Sequence, residues 1–504
     1  MQSRERRGLT TPSAGGPSVR RIAGLVGSPL LAAAVLLSPA PEGLDPAAWR
    51  TAAVAVLMAG LWTSEAVPLP AAALLPLALF PVLDVSSISE TAAPYANPVI
   101  FLFLGGFLLG RALEKWGLHR RIALAIVGRV GLRPARLVWG FMLATAFLSL
   151  WVSNTATVAM MLPIGVSVAR LADVDGEPCG TAFSTCLLLG IAYAASIGGM
   201  GTLVGTPPNA LLAGFVSETF DVEIGFGQWM RVGIPVAAVL LPAAWWLMTR
   251  VLFPLRGDEL TAGGPLLEQA RADLGPAGRG ERIVGTVFVL TATAWVLRPQ
   301  LGELVPGLSD AGIAVAAGVL LFLIPVDVRR GEHALDWKTA AGLPWDVLLL
   351  FGGGLSLAAA IDSSGLAGWI GGSLAALGAL PTPMLLAAVV LLMIFLTEIT
   401  SNTASTAAFL PVIASVAVAI GRDPIQFAVP MVLAASCAFM LPVATPPNAI
   451  VYSSGRVGAD RMARVGLVLN LVFAAFLTLL AWLFVPLVFD VTAGAAAAAS
   501  VSPG

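Results

Sequence analysis

Charge is scarce in this chain. Only 11% of its 504 residues are Asp, Glu, Lys or Arg, against 58% hydrophobic residues and a mean hydropathy of +0.89. So few charges cannot cover a water-soluble surface of this size, which excludes a soluble globular protein and points to a polytopic membrane protein. Charge imbalance is lacking too. A formal net charge of −1 leaves no nucleic-acid footprint, and the basic start MQSRERRG, with Arg20 and Arg21 after it, reads as a short solvated arm. Because polar, Gly- and Pro-rich residues precede the first apolar run, a cleaved signal peptide is not expected. Histidine is nearly missing: His119 and His333, the only two, fall in polar connecting segments and read as solvated. With no paired carboxylates near the polar breaks described below, an intramembrane hydrolase lacks its acid and base. The three cysteines, Cys179, Cys186 and Cys437, are odd in number and sit in apolar surroundings. They read as small buried residues, with neither a disulfide framework nor metal-ligand spacing.

What the chain has in abundance is long apolar runs, near 22–39, 46–66, 69–83, 99–127, 136–172, 179–204, 228–254, 283–301, 310–326, 345–376, 382–420, 427–443 and 462–489. The runs 99–127 and 345–376 open with glycines, FLFLGGFLLG and LLLFGGGLSL, and carry polar residues inside (Arg111, Glu114 and Lys115; Asp362, Ser363 and Ser364). Each suits a helical hairpin that enters the membrane and returns; the alternative is a pair of ordinary spans with a kinked middle. The polar stretch 256–282 divides the chain near its middle.

The two sides of that divide are related. One register shift lays Gly105 on Gly353, Gly117 on Gly365, Pro163 on Pro411, and the triplet Ser153-Asn154-Thr155 on Ser401-Asn402-Thr403. A slightly different shift lays GTPPNAL from Gly205 on ATPPNAI from Ala444. This is an internal repeat. Five apolar crossings separate the two glycine-led runs. An odd number turns the second half over, giving the inverted-topology repeat of secondary transporters. The cluster Arg111, Lys115, Arg120, Arg121, Arg129, Arg133 and Arg136 places the base of the first glycine-led hairpin on the cytoplasmic side.

The repeated triplets have a physical reading. Ser, Asn and Thr compete for backbone hydrogen bonds within a helix and are strong helix N-caps. Each SNT therefore breaks its run, leaving free carbonyls behind it and starting a fresh helix whose N–H groups carry positive dipole density. Two such breaks, met by two Thr-Pro-Pro-Asn breaks, make a pocket for carboxylates that needs no Lys or Arg, beside carbonyl cages for Na⁺.

These motifs, with the stretch ASCAFMLPVATPPNAIV at 435–451, resemble the divalent anion:sodium symporters, which include the INDY-type di- and tricarboxylate transporters. The resemblance covers residues 46 to 489. It implies an all-α polytopic membrane fold of about 11 transmembrane helices plus two re-entrant helical hairpins in an inverted repeat. The protein would be a homodimer in the cell (inner) membrane, surrounded by lipid, with the transport domain of each protomer moving elevator-fashion against a scaffold domain. The expected division is a polar arm at 1–21, scaffold at 22–98, transport domain at 99–227, scaffold with its polar loop at 228–344, transport domain again at 345–489, and a tail at 490–504.

By matching motifs, the resemblance implies a dianion site of Ser153, Asn154, Thr155, Ser401, Asn402 and Thr403, with Thr206, Thr445 and Pro446 beside them. It implies a first sodium site at Ser149, Ser153, Asn154 and Gly205, and a second at Thr397, Ser401, Asn402 and Ala444, for at least two co-transported Na⁺. Ser149 and Thr397 each stand one helical turn before their triplet, so their hydroxyls can face the same break. None of these residues is Lys, Arg or His, which favours sodium coupling over exchange. The expected function is therefore sodium-coupled symport of a C4-dicarboxylate such as succinate. Symport of sulfate or another divalent anion, sodium-independent exchange on the same fold, and a channel or membrane enzyme are the alternatives. Glu398 breaks the repeat, since its counterpart is Leu150. It can serve a cation or proton site, or simply face a polar neighbour or water. Arg111 and Lys115 are expected to snorkel to the membrane interface.

Overall fold

A computed structural model describes residues 19–174, 179–255 and 263–489. The first part of the arm, residues 256–262 of the polar stretch, the tail and the side chain of Cys179 lie outside the described residues. The fold is almost wholly helical. The first half contains α1 (Val19–Leu37), α2 (Pro46–Ser64), α3 (Pro98–Lys115), α4 (Leu118–Val127), α5 (Pro134–Ser149), α6 (Asn154–Val174), α7 (Cys179–Gly199), α8 (Pro207–Phe220) and α9 (Phe226–Trp246). Then come α10 (Arg279–Val296), α11 (Arg298–Leu304) and α12 (Asp310–Leu323), and a two-stranded ribbon, β1 (Pro325–Asp327) with β2 (Glu332–His333). The second half contains α13 (Trp345–Ser363), α14 (Leu366–Ser373), α15 (Thr382–Thr397), α16 (Asn402–Ala419), α17 (Pro424–Ala435), α18 (Pro446–Ser453) and α19 (Ala459–Leu483). Proline at the first helical position starts α2, α3, α5, α8, α17 and α18, where its missing N–H costs nothing.

Among the described residues, seven helices are long and apolar enough to cross a membrane, or up to eight if a bent pair counts as one span. That is fewer than the expected eleven spans, because several apolar runs are broken. The run at 283–301 bends by 83° between α10 and α11, where Pro299 begins a new helix, and Pro76 divides the run at 69–83 into short turns.

The expected hairpins are not at the glycine-led runs. After α3 the chain turns at Gly117, which has a left-handed φ of 70°, but α4 does not fold back along α3. It packs on α5 instead, where Gly140 meets Val127 and Val130. The glycines serve close helix packing: a Cβ on Gly105 would lie 2.4 Å from the Ala314 backbone, and one on Gly353 would lie 2.2 Å from Ala73 O. The antiparallel pairs are α5 with α6 and α15 with α16. Gly190 and Gly198 on α7 contact Met142 and Ala146 on α5, so α7 runs parallel to α5. Gly199 meets Asn154 and Ile191 meets Gly165, so α6 runs the opposite way. In the second half, Leu385 and Leu386 at the start of α15 pack on Ala417 at the end of α16 and Phe427 at the start of α17. Each SNT triplet is thus the tip of a helical hairpin, not a break within one crossing.

The inverted relation between the halves is visible in α3 and α13, equivalent helices that pack against each other antiparallel. Arg111 donates to Gly342 O near one end of the pair, and Gly214 contacts both Asn97 and Leu355 near the other. Phe103 and Phe351, equivalent under the repeat, touch edge-to-face at 5.0 Å where the helices cross. The halves also exchange parts. The second half's α18 packs on α6 and α7, and the first half's α8 packs on α16 and α17.

Several expected surface groups are engaged. Arg111 also pairs with Glu114 at 2.8 Å, so it serves protein partners and does not simply snorkel. Lys115 pairs with Asp336 at 2.8 Å and donates to His333 O at 2.9 Å, tying the end of α3 to the ribbon. That hydrogen bond from Lys115 holds the Asp336 carboxyl down to about 2. Both histidines are half-buried rather than fully solvated, and His119 Nδ1 lies 2.9 Å from Leu113 O. Cys186 and Cys437 are buried free thiols, as expected.

Candidate functional site

The hairpin tips are helix starts. Ser153 Oγ accepts the N–H of Ala156 at 3.3 Å, and Ser401 Oγ accepts that of Ala404 at 3.5 Å. Each serine caps its new helix, so the adjoining N–H groups are left facing the tip. Opposite each tip runs an unwound segment, from the end of α7 to Pro207 and from the end of α17 to Pro446.

One asparagine organises each unwound segment. Asn209 Nδ2 donates to the carbonyls of Gly199, Met200 and Thr202 at 3.1, 3.4 and 2.8 Å. Asn448 Nδ2 donates to those of Ala438 and Leu441, both at 3.0 Å, the equivalents of Gly199 and Thr202. Both asparagines are fully buried. From sequence the TPPN motif reads only as a break; its duplication in register is the signal that these side chains hold something.

The first cage is tight. Ser149 Oγ donates to Asn154 Oδ1. A Cβ placed on Gly199 would lie 2.8 Å from Asn154 Oδ1 and 3.1 Å from Gly205 O, so hydroxyl, amide and backbone oxygens converge where Gly199 has only hydrogen. The second cage differs. Ala438 and Ala444 replace the two glycines, and the Thr397 hydroxyl donates back to its own helix, toward Met393 O at 2.9 Å and Ile394 O at 3.0 Å. Asn402 Oδ1 is buried with no protein partner. An orphaned buried acceptor costs about 1–3 kcal/mol, which a cation at this position would offset. Among the described residues no cluster of three or more His, Cys, Asp or Glu is arranged to hold a metal ion. The neutral oxygens of the cages suit a monovalent cation better than a divalent one.

Both tips and both unwound segments open on one cavity of about 1200 Å³. Every expected dianion residue lines it: Ser153, Asn154, Thr155, Thr206, Ser401, Asn402, Thr403, Thr445 and Pro446. So do Gly205 and Ala444, while Ser149 and Thr397 are fully buried behind it. The N-termini of α6, α8, α16 and α18 therefore meet around one space, and four positive dipole ends favour an anion there. The charged lining residues, Arg21, Arg111, Glu65, Glu114 and Asp346, come from outside the four motifs and nearly balance. Two further buried hydroxyls line the cavity: Ser196, which no motif marks, and Ser436, which lies in the 435–451 stretch but is given no site role by it.

This geometry suits an anion beside small cations, and comparison with known proteins gives the family. The sequence profile described as the sodium:sulfate symporter transmembrane region matches residues 20–490. The chain belongs to that family, the divalent anion:sodium symporters. It is 40% identical over 483 residues to the sodium-dependent dicarboxylate transporter SdcS of Staphylococcus saprophyticus, covering 94% of this chain and 93% of the relative. It is 39% identical over 484 residues to SdcS of Staphylococcus aureus, with the same coverage. Two solved structures share the fold at low identity: the YdaH transporter of Alcanivorax borkumensis (TM-score 0.58, 16% identity, 94% of this chain and 98% of that one) and MtrF of Neisseria gonorrhoeae (0.57, 14%, 95% and 96%). This family member is a transporter, not an enzyme, and a multi-pass integral membrane protein.

Proposed function

We propose that this protein is a sodium-coupled symporter of C4-dicarboxylates such as succinate. The observation that carries the reading is the meeting of four helix N-termini on one cavity flanked by two cages of neutral oxygens. The N-termini bind carboxylates, and the cages take Na⁺. The names of the SdcS relatives support both the sodium and the dicarboxylate. Two hairpin tips facing one large cavity fit an anion with two separated carboxylates better than a single tetrahedral sulfate.

A dianion entering a negative-inside cell works against about 2.3 kcal/mol per charge per 100 mV. At least two sodiums accompany the dianion, one for each cage: Ser149, Ser153, Asn154 and Gly205 in the first, Thr397, Ser401, Asn402 and Ala444 in the second. Two make the step neutral, and any third makes it electrogenic. Alternating access is of the elevator type, in a homodimer embedded in lipid. The moving domain consists of α5–α8 with α15–α19. This division assigns α3 and α13, which the sequence places in the transport segments 99–227 and 345–489, to the scaffold instead, a reading supported by the backbone-close contacts of Gly105 with Ala314 and of Gly353 with Ala73. The test is uptake of labelled succinate into proteoliposomes with and without Na⁺, with sulfate as competitor. Full uphill uptake in sodium-free buffer overturns symport, and competition by sulfate at concentrations equal to succinate overturns the substrate class.

A further inference from the structure

Glu398 stands at the position where the first repeat has Leu150. It is the residue after α15, immediately before the second hairpin tip, and only 3% exposed. Its Oε1 accepts the backbone N–H of Met440 at 2.9 Å and the side-chain amide of Asn470 at 2.7 Å; its Oε2 accepts the N–H of Leu441 at 3.0 Å. Hydrogen bonds of this kind to a carboxylate are stronger than those between neutral groups.

The partners belong to the unwound segment that faces the second cage. Its N–H groups at 440 and 441 turn toward Glu398, while its carbonyls at 438 and 441 turn toward Asn448 Nδ2. Four successive peptides of the segment are thus pinned, the middle two through their N–H groups by Glu398 and the outer two through their carbonyls by Asn448. In the first repeat the equivalent segment is held by a neutral group: Thr202 Oγ1 donates to Leu150 O and accepts the N–H of Gly205 at 3.1 Å. Asn470 brings in α19, which lies so close to the segment that a Cβ on Gly466 would stand 2.3 Å from the Phe439 carbonyl.

We propose that Glu398, braced by Asn470, is a positioning residue for the second cation cage. Its carboxylate orients the peptides at 439–441 so that the segment leading to Ala444 presents its oxygens toward Asn402, and it locks α19 to that arrangement. The inference rests on the cage reading given above.

The full-length protein in proteoliposomes tests it with Glu398→Gln, Asn470→Ala and the double variant. Each single change should raise the Na⁺ concentration for half-maximal uptake, by about tenfold for Glu398→Gln, the scale of losing one charge-assisted hydrogen bond. The succinate KM at saturating Na⁺ should move by less than about twofold, since the dianion contacts are untouched. Because the two residues act as one unit, the double variant should be no worse than Glu398→Gln alone. The rise in melting temperature on adding Na⁺ to the detergent-solubilised protein should shrink in parallel. A purely structural role lowers the sodium-free melting temperature and leaves the sodium dependence alone, and that result overturns the proposal. So does a shift confined to KM. If Glu398→Gln does not fold, an unchanged sodium dependence in Asn470→Ala overturns it. If Ser149→Ala and Thr397→Ala also leave sodium dependence unmoved, the cage reading itself falls and this inference with it; if they move it and Glu398→Gln does not, only this inference falls.

Discussion

Gly205→Ala tests the first cage by adding one methyl group. A Cβ at this position would lie 2.4 Å from Gly199 O and 3.0 Å from Gly199 C and Cα. The glycine is not in the left-handed region, so the effect is steric and not conformational. What it meets is backbone, which cannot rotate away. Reaching ordinary contact requires the two strands of the unwound segment to part by about 1 Å, and overpacking of this kind costs about 1–3 kcal/mol. The same oxygens, Gly205 O and Asn154 Oδ1, flank Gly199, so the parting widens the cage. If the cost falls on the sodium-bound state, Na⁺ affinity drops by about tenfold to a hundredfold. The equivalent residue, Ala444, already carries the methyl, so Ala444→Gly removes a contact without forcing a shift. Its cost is the backbone freedom of glycine, about 0.5–1 kcal/mol, and its sodium dependence should stay within about threefold of the parent. The assay is initial-rate uptake of labelled succinate against Na⁺ at fixed substrate, on protein shown to be folded by its melting temperature. A Gly205→Ala protein with the parent's sodium dependence would refute the first cage.

Asn154→Ala and Asn402→Ala should each abolish uptake while leaving a folded protein in detergent, because each amide is asked to serve both dianion and cation; near-normal succinate KM in both would remove the site assignment. Ser149→Ala should raise the sodium requirement more than Thr397→Ala, since the Ser149 hydroxyl touches Asn154 whereas that of Thr397 bonds back to its helix, and equal effects would count against this difference between the cages. Asn209→Asp should lower the melting temperature, as a carboxylate in place of the amide faces three carbonyls it cannot donate to. Asp336, held down to about 2 by Lys115, has its usual value near 3.9 when unfolded. The bridge therefore stabilises above that pH, and its contribution is lost as pH falls toward 2. The melting-temperature gap between the parent and Asp336→Asn should be constant from pH 8 to 5 and narrow below 4; a gap that changes between pH 8 and 5 contradicts the assignment.

The repeat was legible because it is written in residue types with few structural equivalents. SNT and TPPN are helix-starting signals, their repetition in register points to one shared place, and the four segments line one cavity. The hairpins were misplaced for a physical reason. Glycines within an apolar run mark either an irregular turn or a face that another backbone must approach, and only the partner distinguishes them; Gly105 has Ala314 and Gly353 has Ala73. The hairpin tips were read as mid-span breaks, since a polar triplet between two helical runs looks alike whether the second helix continues or returns. Glu398 and Asn470 lie far apart in the chain, and nothing in either neighbourhood announces the other.

The exchange of α8 and α18 between the halves bears on how the molecule is made. Part of the wall of each hairpin is supplied by a helix from the other half, so neither half buries all of its apolar surface alone. While the ribosome is still short of residue 446, α6 and α7 lack the cover that α18 provides. The first half must therefore wait in the bilayer, partly assembled, for the second. A gene cut in the polar stretch between residues 256 and 262 should yield two fragments that are each degraded when expressed alone and that rescue one another when co-expressed.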